Sequence, residues 1–320
     1  WRLKQASMVL LATMLMIISG CGPEPTTAPT AEPAATEPTA TEPVEPTPAE
    51  EAAETVWSSK PVIHGTCCEP NSLDPAAVTN SATEGVIMNA AYEGLTQYAI
   101  DGTIEPSLAT DWKISDDSLT YTFELREGVK FHDGTTMDAE AVKTSFEREK
   151  ALKLGVAFLL DSVSEVKVVD DLTVEITLSK PDGTFWFGVP RIKSMSPTAM
   201  TTNEEDGDWA QGFFGENVVG TGPYRLERWD HARQLELVAF EDYWRGWVGN
   251  HVQRYILRFG VDMASRLLAL ERGEMHIVDW AGLSDVRRMA DNPDVEVVAG
   301  RANWSQFYHW MNNQAGPLQD

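Results

Sequence analysis

Basic residues are scarce in this chain: Lys and Arg total 25 against 49 Asp and Glu, a formal net charge of −24. Nucleic-acid phosphates and anionic lipid surfaces both demand clustered cations, so this balance argues against either partner. Cysteine is sparse too, with three among 320 residues. Without a CxxC pair or a second cluster, neither a disulfide framework nor a cysteine metal site has support. No apolar run reaches the about 20 residues of a comfortable membrane span. Catalytic strings are missing as well: there is no GxSxG elbow, Walker A loop, HExxH or calcium-loop pattern. Gly220-Thr221-Gly222-Pro223-Tyr224-Arg225 starts like a dinucleotide loop. Arg225 stands in the third glycine's place, however, and Pro223 removes a backbone donor, which argues against a phosphate cradle. The six histidines (64, 132, 231, 251, 276 and 309) lack ligand spacing. The acidic bundle Glu204, Glu205, Asp206 and Asp208 reads as a solvated loop. No catalysis, metal or cofactor is expected.

What the chain does have begins with a short basic head. Arg2 and Lys4 precede an apolar run over 8–18, and Ser19-Gly20-Cys21 follows, the layout of an export signal over 1–20. Residues 22–55 consist of eight Glu, eight Pro, eight Thr and eight Ala with Gly22 and Val44. Proline blocks helices and ladders while the spaced carboxylates repel, so 21–56 reads as a solvated tether. That tract carries −8 of the charge, leaving −18 for 56–320. Cys67 and Cys68 are expected to be two free buried thiols or a strained vicinal disulfide.

The remainder alternates strand-like and helix-like patterns, the mark of an α/β body. Strands are expected over 62–66, 119–125, 224–229, 234–240, 255–259 and from 275 to 278, with a hairpin joining 166–168 to 172–178. Leu119, Tyr121, Phe123 and Leu125 alternate with polar residues in strict period two. Helices are expected over 82–95, from an Asp138 cap to about residue 150, and over 263–271 before Gly273.

Several strings in series resemble one family, the extracellular solute-binding proteins of ABC importers, family 5. They are Leu73-Asp74-Pro75, Tyr92-Glu93-Gly94-Leu95, the Glu105-Pro106-Ser107-Leu108-Ala109-Thr110-Asp111-Trp112 stretch and 121–135 with its Phe131-His132-Asp133-Gly134 turn. Ser145-Phe146-Glu147-Arg148, 169–174, Gly220-Thr221-Gly222-Pro223-Tyr224, Asp242-Tyr243-Trp244 and 268–274 continue the order, from about residue 60 to the end. Ser19-Gly20-Cys21 likewise resembles a lipobox, implying lipidation of Cys21.

The resemblance implies a two-lobed α/β fold of the periplasmic-binding-protein type II, closing by a hinge. Lobe one would take 57–260 with a subdomain inserted near 91–165, and lobe two would start at 261. In that family the closing string of this chain precedes much more of the second lobe, so a truncated second lobe is expected, with weak binding in its absence. The implied function is capture of oligopeptides or dipeptides for a permease and its ATPases, by a lipid-anchored, extracytoplasmic monomer. Nickel chelates or oligosaccharides are alternative ligands. A secreted lipoprotein hydrolase and a receptor that feeds no permease are the readings from other classes. Candidate ligand-binding residues are Thr66, Cys67, Cys68 and Glu69 after the first strand, with Trp186 and Arg191. Glu69 could meet an amine and Arg191 a carboxylate or a chelated metal, while tryptophans such as Trp280 and Trp304 could stack on sugars. Cys67-Cys68 departs from the small or polar residues that the family shows there, and Ala141 replaces an acidic residue frequent early in its helix.

Overall fold

The computed structural model describes residues 55–78 and 84–298. The chain divides into Trp1–Glu50 and Glu51–Asp320; the first unit, with Cys21 and the expected signal, lies outside the described residues, as does Trp304. The described residues open with β1 (Thr55–Ser58), whose first two residues fall in the stretch read as tether. It pairs in parallel with β11 (Gly249–Val252).

Two cores organise the rest. The first lies under an antiparallel sheet in the order β5-β6-β8-β7, made of Ala109–Ile114, Thr120–Leu125, Thr173–Leu178 and Val163–Asp170. The period-two pattern works as expected, with Tyr121, Phe123 and Leu125 inward beside Val174, Ile176 and Leu178. Helix α2 (Ala139–Leu152) covers this face with Val142 and Phe146; the Asp138 carboxylate accepts from the Ala141 amide at 2.8 Å and so satisfies an otherwise orphaned donor. A small hairpin, β3 (Thr96–Tyr98) with β4 (Ile104–Pro106), leads into the sheet. Helix α3 (Gly183–Gly188) and a 3₁₀ turn (Val189–Arg191) lead away from it.

The second core belongs to a mixed sheet ordered β13-β2-β12-β10-β9. Its strands are Ile277–Val278, Val62–Gly65, Arg254–Arg258, Gln234–Ala239 and Tyr224–Asp230. β9, β10 and β12 are antiparallel neighbours, whereas β2 runs parallel to both β12 and β13. Leu235, Leu237, Leu257 and Phe259 pack on Tyr92, Met88 and Phe214. The segment expected as one helix over 82–95 is shorter: a π turn (Glu84–Met88) passes into α1 (Asn89–Ala91), and Leu95 lies beyond it. Short helices α4 (Pro197–Asn203) and α5 (Gln211–Glu216) precede β9. After β12 come α6 (Met263–Glu271), matching its expected bounds, and α7 (Leu283–Ala290). Among the described residues no helix is long and apolar enough to cross a membrane.

The recurrent strings turn out to be joints between distant segments. Asp74 and Arg148 form a bidentate pair at 2.8 and 2.7 Å with both side chains almost fully buried. The imidazole of His132 lies 2.9 Å from the Gly222 carbonyl, and its amide donates to the Gly220 carbonyl. Burial drives the His132 pKa down to about 4, which keeps it neutral in this contact. Gly220 and Gly222 press on the end of α1: a Cβ on Gly220 would stand 2.1 Å from the Ala91 carbonyl oxygen, and one on Gly222 2.6 Å from that of Ala90. That close approach, rather than phosphate binding, is what the two glycines serve. Glu93 gathers Thr221 Oγ1, the Tyr243 hydroxyl and Trp244 Nε1 at 3.0, 3.0 and 2.8 Å. Arg126 and Arg245 place their guanidinium groups 4.2 and 4.5 Å from the Trp244 ring centre.

Candidate functional site

In open α/β sheets, crevices for ligands form outside the carboxyl ends of parallel strands. Here β2, β12 and β13 are mutually parallel across β2, so their carboxyl ends converge on one edge. Loop 66–69 leaves that edge. Gly65 precedes it because a Cβ there would meet Met275 Sδ at 2.6 Å and the Arg266 side chain at 3.0 Å. The Thr66 amide donates to the Arg258 carbonyl at 3.1 Å, which fixes where the loop starts. Its hydroxyl is buried and has no hydrogen-bond partner. Cys67 and Cys68 are both free and both exposed; the expectation of buried thiols was wrong because the loop turns outward past the last paired residue of β2. Partial burial, then the neighbouring Cys68 and the Asp279 carboxylate, push the Cys67 thiol up to about 11.

Glu69 is already engaged. Its Oε1 accepts from Trp229 Nε1 at 3.0 Å and lies 3.1 Å from His231 Nδ1, while His231 Nε2 lies 3.0 Å from Glu216. This staple ties the loop to the β9–β10 turn and opposes the use of that oxygen for a ligand amine. On the other side, the buried Arg266 of α6 donates to the Gly65 carbonyl at 3.2 Å and to Asp279 Oδ1 at 3.3 Å. His64 spans from the Tyr255 hydroxyl at 2.8 Å to the Asp279 carboxylate at 3.3 Å. Next comes Trp280, 56% exposed and held at φ 59°. Left-handed backbone at a bulky residue is strained, and such strain gathers where structure serves recognition.

Trp186 and Arg191 are elsewhere. Trp186 packs on the four-stranded sheet, with ring centres 5.2 Å from Trp112 and 6.2 Å from Tyr121. Arg191 is half-buried with its charge near Glu149. Trp186 therefore packs on the first core, whereas Trp229, the partner of Glu69, packs on the second. Trp186 and Arg191 remain a second candidate group, separate from loop 66–69. Sequence reasoning missed His64, Arg266 and Asp279. One signal could have found Asp279: it follows the predicted strand ending at 278, where side chains of a parallel strand reach the crevice. A cavity of about 350 Å³ lies apart from the loop residues, bordered by Glu93, Thr96, Gln97, Lys193, Tyr243 and Arg245. Among the described residues no group of three or more His, Cys, Asp or Glu could hold a metal.

A family model described as bacterial extracellular solute-binding proteins, family 5 Middle, matches residues 103–320. The chain belongs to that family. Within family 5, it is 32% identical over 264 residues to the probable D,D-dipeptide-binding periplasmic protein of Escherichia coli, covering 80% of this chain and 50% of that protein. It is 30% identical over 257 residues to the glutathione-binding protein of Pectobacterium atrosepticum, covering 78% and 48% respectively. Among solved structures, the periplasmic binding protein of an ABC transporter from Helicobacter pylori, in complex with the peptide STSA, superposes with a TM-score of 0.65. It is 25% identical, with 75% of this chain and 50% of that one covered. The chain thus spans about half the length of the relatives it matches, and the periplasmic-binding-protein fold is the fold it shares.

Proposed function

We propose that the protein is the solute-recognition subunit of an ABC importer and that its solutes are short peptides. The observation that carries this reading is the kinship with dipeptide- and glutathione-binding periplasmic relatives. Cys67, Cys68 and Trp280, exposed at the carboxyl ends of parallel strands, supply a surface suited to it. Binding would proceed without catalysis: loop 66–69 meets the peptide and Trp280 covers a side chain. The protein works outside the cytoplasm, tethered by a lipid on Cys21, and hands its cargo as a monomer to a permease with its ATPases. Nucleic acid plays no part. Lobe one would take 57–260 with a subdomain inserted near 91–165, and lobe two would start at 261, although β13 beyond that point still pairs with β2.

The test is mass spectrometry of what the protein, expressed from its own gene, carries through purification. Denaturation is expected to release intact short peptides. Release of sugars or nickel chelates alone would overturn the peptide reading, and cleaved products from added peptides would overturn the absence of catalysis.

A further inference from the structure

We infer that Cys67 and Cys68 form a two-thiol capture site for peptide disulfides, with Cys68 attacking and Cys67 resolving. This rests on the peptide reading above and adds a substrate class to it. Both thiols are free and exposed on the loop that leaves the carboxyl-end edge, the edge to which the peptide reading assigns the solute. The two are not equivalent. The Asp279 amide lies 3.4 Å from the Gly65 carbonyl, and Arg266 grips both that carbonyl and the Asp279 carboxylate. Asp279 is thereby held at Gly65, two positions before Cys67 and three before Cys68. The raised Cys67 thiol agrees with that placement.

The chemistry balances with the ligand as oxidant. Cys68 loses its proton to solvent and its sulfur attacks one sulfur of R–S–S–R; that bond breaks, one R–S⁻ departs and takes up a proton, and Cys68 carries the other half as a mixed disulfide. Cys67 then loses its proton and attacks the Cys68 sulfur, expelling the second R–S⁻, which is protonated in turn. The two cysteines lose two electrons and the ligand disulfide gains them, leaving two R–SH and a disulfide between neighbours. Such a bond is strained and therefore easily reduced by thiols, which resets the site.

The experiment uses the protein expressed from its own gene, reduced, freed of reductant and mixed with glutathione disulfide, with intact-mass and peptide-map readouts. Wild type is expected to end lighter by two hydrogens, with the bond between Cys67 and Cys68. Cys67→Ser should stop as a glutathione adduct on Cys68, and Cys68→Ser should react about tenfold more slowly, the attacking thiolate being scarce. An excess of the tripeptide with serine in place of cysteine should slow the reaction by occupying the crevice. Equal rates for the two variants, no reaction, or indifference to the serine tripeptide would each overturn the proposal. Calorimetry with the serine tripeptide and with dipeptides separates the two ideas. Binding without thiol chemistry removes the capture site and leaves the peptide reading intact, whereas absence of any peptide binding removes the reading itself.

Discussion

Replacing Arg148 with Met keeps the length of the side chain and removes its charge. In the native fold its two terminal nitrogens reach Asp74 at 2.8 and 2.7 Å, and Nε donates to the Trp209 carbonyl at 2.8 Å. The exposures of the two side chains are 1% and 0%. Removing one partner of a buried pair strands the other charge in a poor dielectric, a loss of about 3–5 kcal/mol. Replacing both by apolar groups removes that penalty, so Arg148→Met with Asp74→Leu should recover much of the loss. Urea unfolding followed by circular dichroism measures it: with a slope of about 3 kcal/mol per molar, the single variant should unfold about 1 to 1.7 M earlier. A loss below about 1 kcal/mol, or a double variant no better than Arg148→Met alone, would refute the reasoning that this joint is held by a desolvated ion pair.

Three further outcomes are expected. Burial first, and Asp74 second, raise Glu149 from 4.5 to about 8; the folded state therefore binds more protons than the unfolded one between these values, and stability falls as pH rises through that window. Glu149→Gln should flatten this slope and gain about 1–3 kcal/mol at pH 8, read from thermal midpoints at pH 5 and pH 8; an unchanged slope would contradict the assignment. Gly222→Ala should cost at least about 1–3 kcal/mol by overpacking against α1, visible as a lower urea midpoint, and wild-type stability would contradict the close approach. Cys21→Ala should move the protein from the membrane fraction to the soluble extracytoplasmic fraction, and continued membrane retention would argue against lipidation.

Local pattern made the elements legible and left their meeting points hidden. Tyr121, Phe123 and Leu125 announce β6 because alternation is written in adjacent residues, and Gly273 marks the end of α6 because a helix stop is equally local. The insertion of β2 between β12 and β13 pairs residues about two hundred positions apart, and no local period encodes that. It is this pairing that brings Asp279, Arg266 and His64 to loop 66–69, so the loop could be named from sequence and its neighbours could not. The helix read over 82–95 stops at Ala91 where Gly222 takes the carbonyl of that residue through its amide, a tertiary contact that overrides propensity. Trp186 was named from the family resemblance, and its packing beside Tyr121 and Trp112 could not be read from local pattern. The recurrent strings were legible as a family signature, and the structure explains why they recur in this chain together: Asp74 needs Arg148, His132 needs Gly220 and Gly222, and Glu93 needs Thr221, Tyr243 and Trp244.

The central claim is that these joints build the scaffold while solute is recognised at the carboxyl-end edge. Hydrogen–deuterium exchange of the protein expressed from its own gene, with and without a mixture of di- and tripeptides, tests it most directly. Added peptide is predicted to protect loop 66–69 and the segment around Asp279 and Trp280, leaving the four-stranded sheet and the surroundings of Glu93 unchanged. Protection confined to those latter regions, or none at all, would contradict the account.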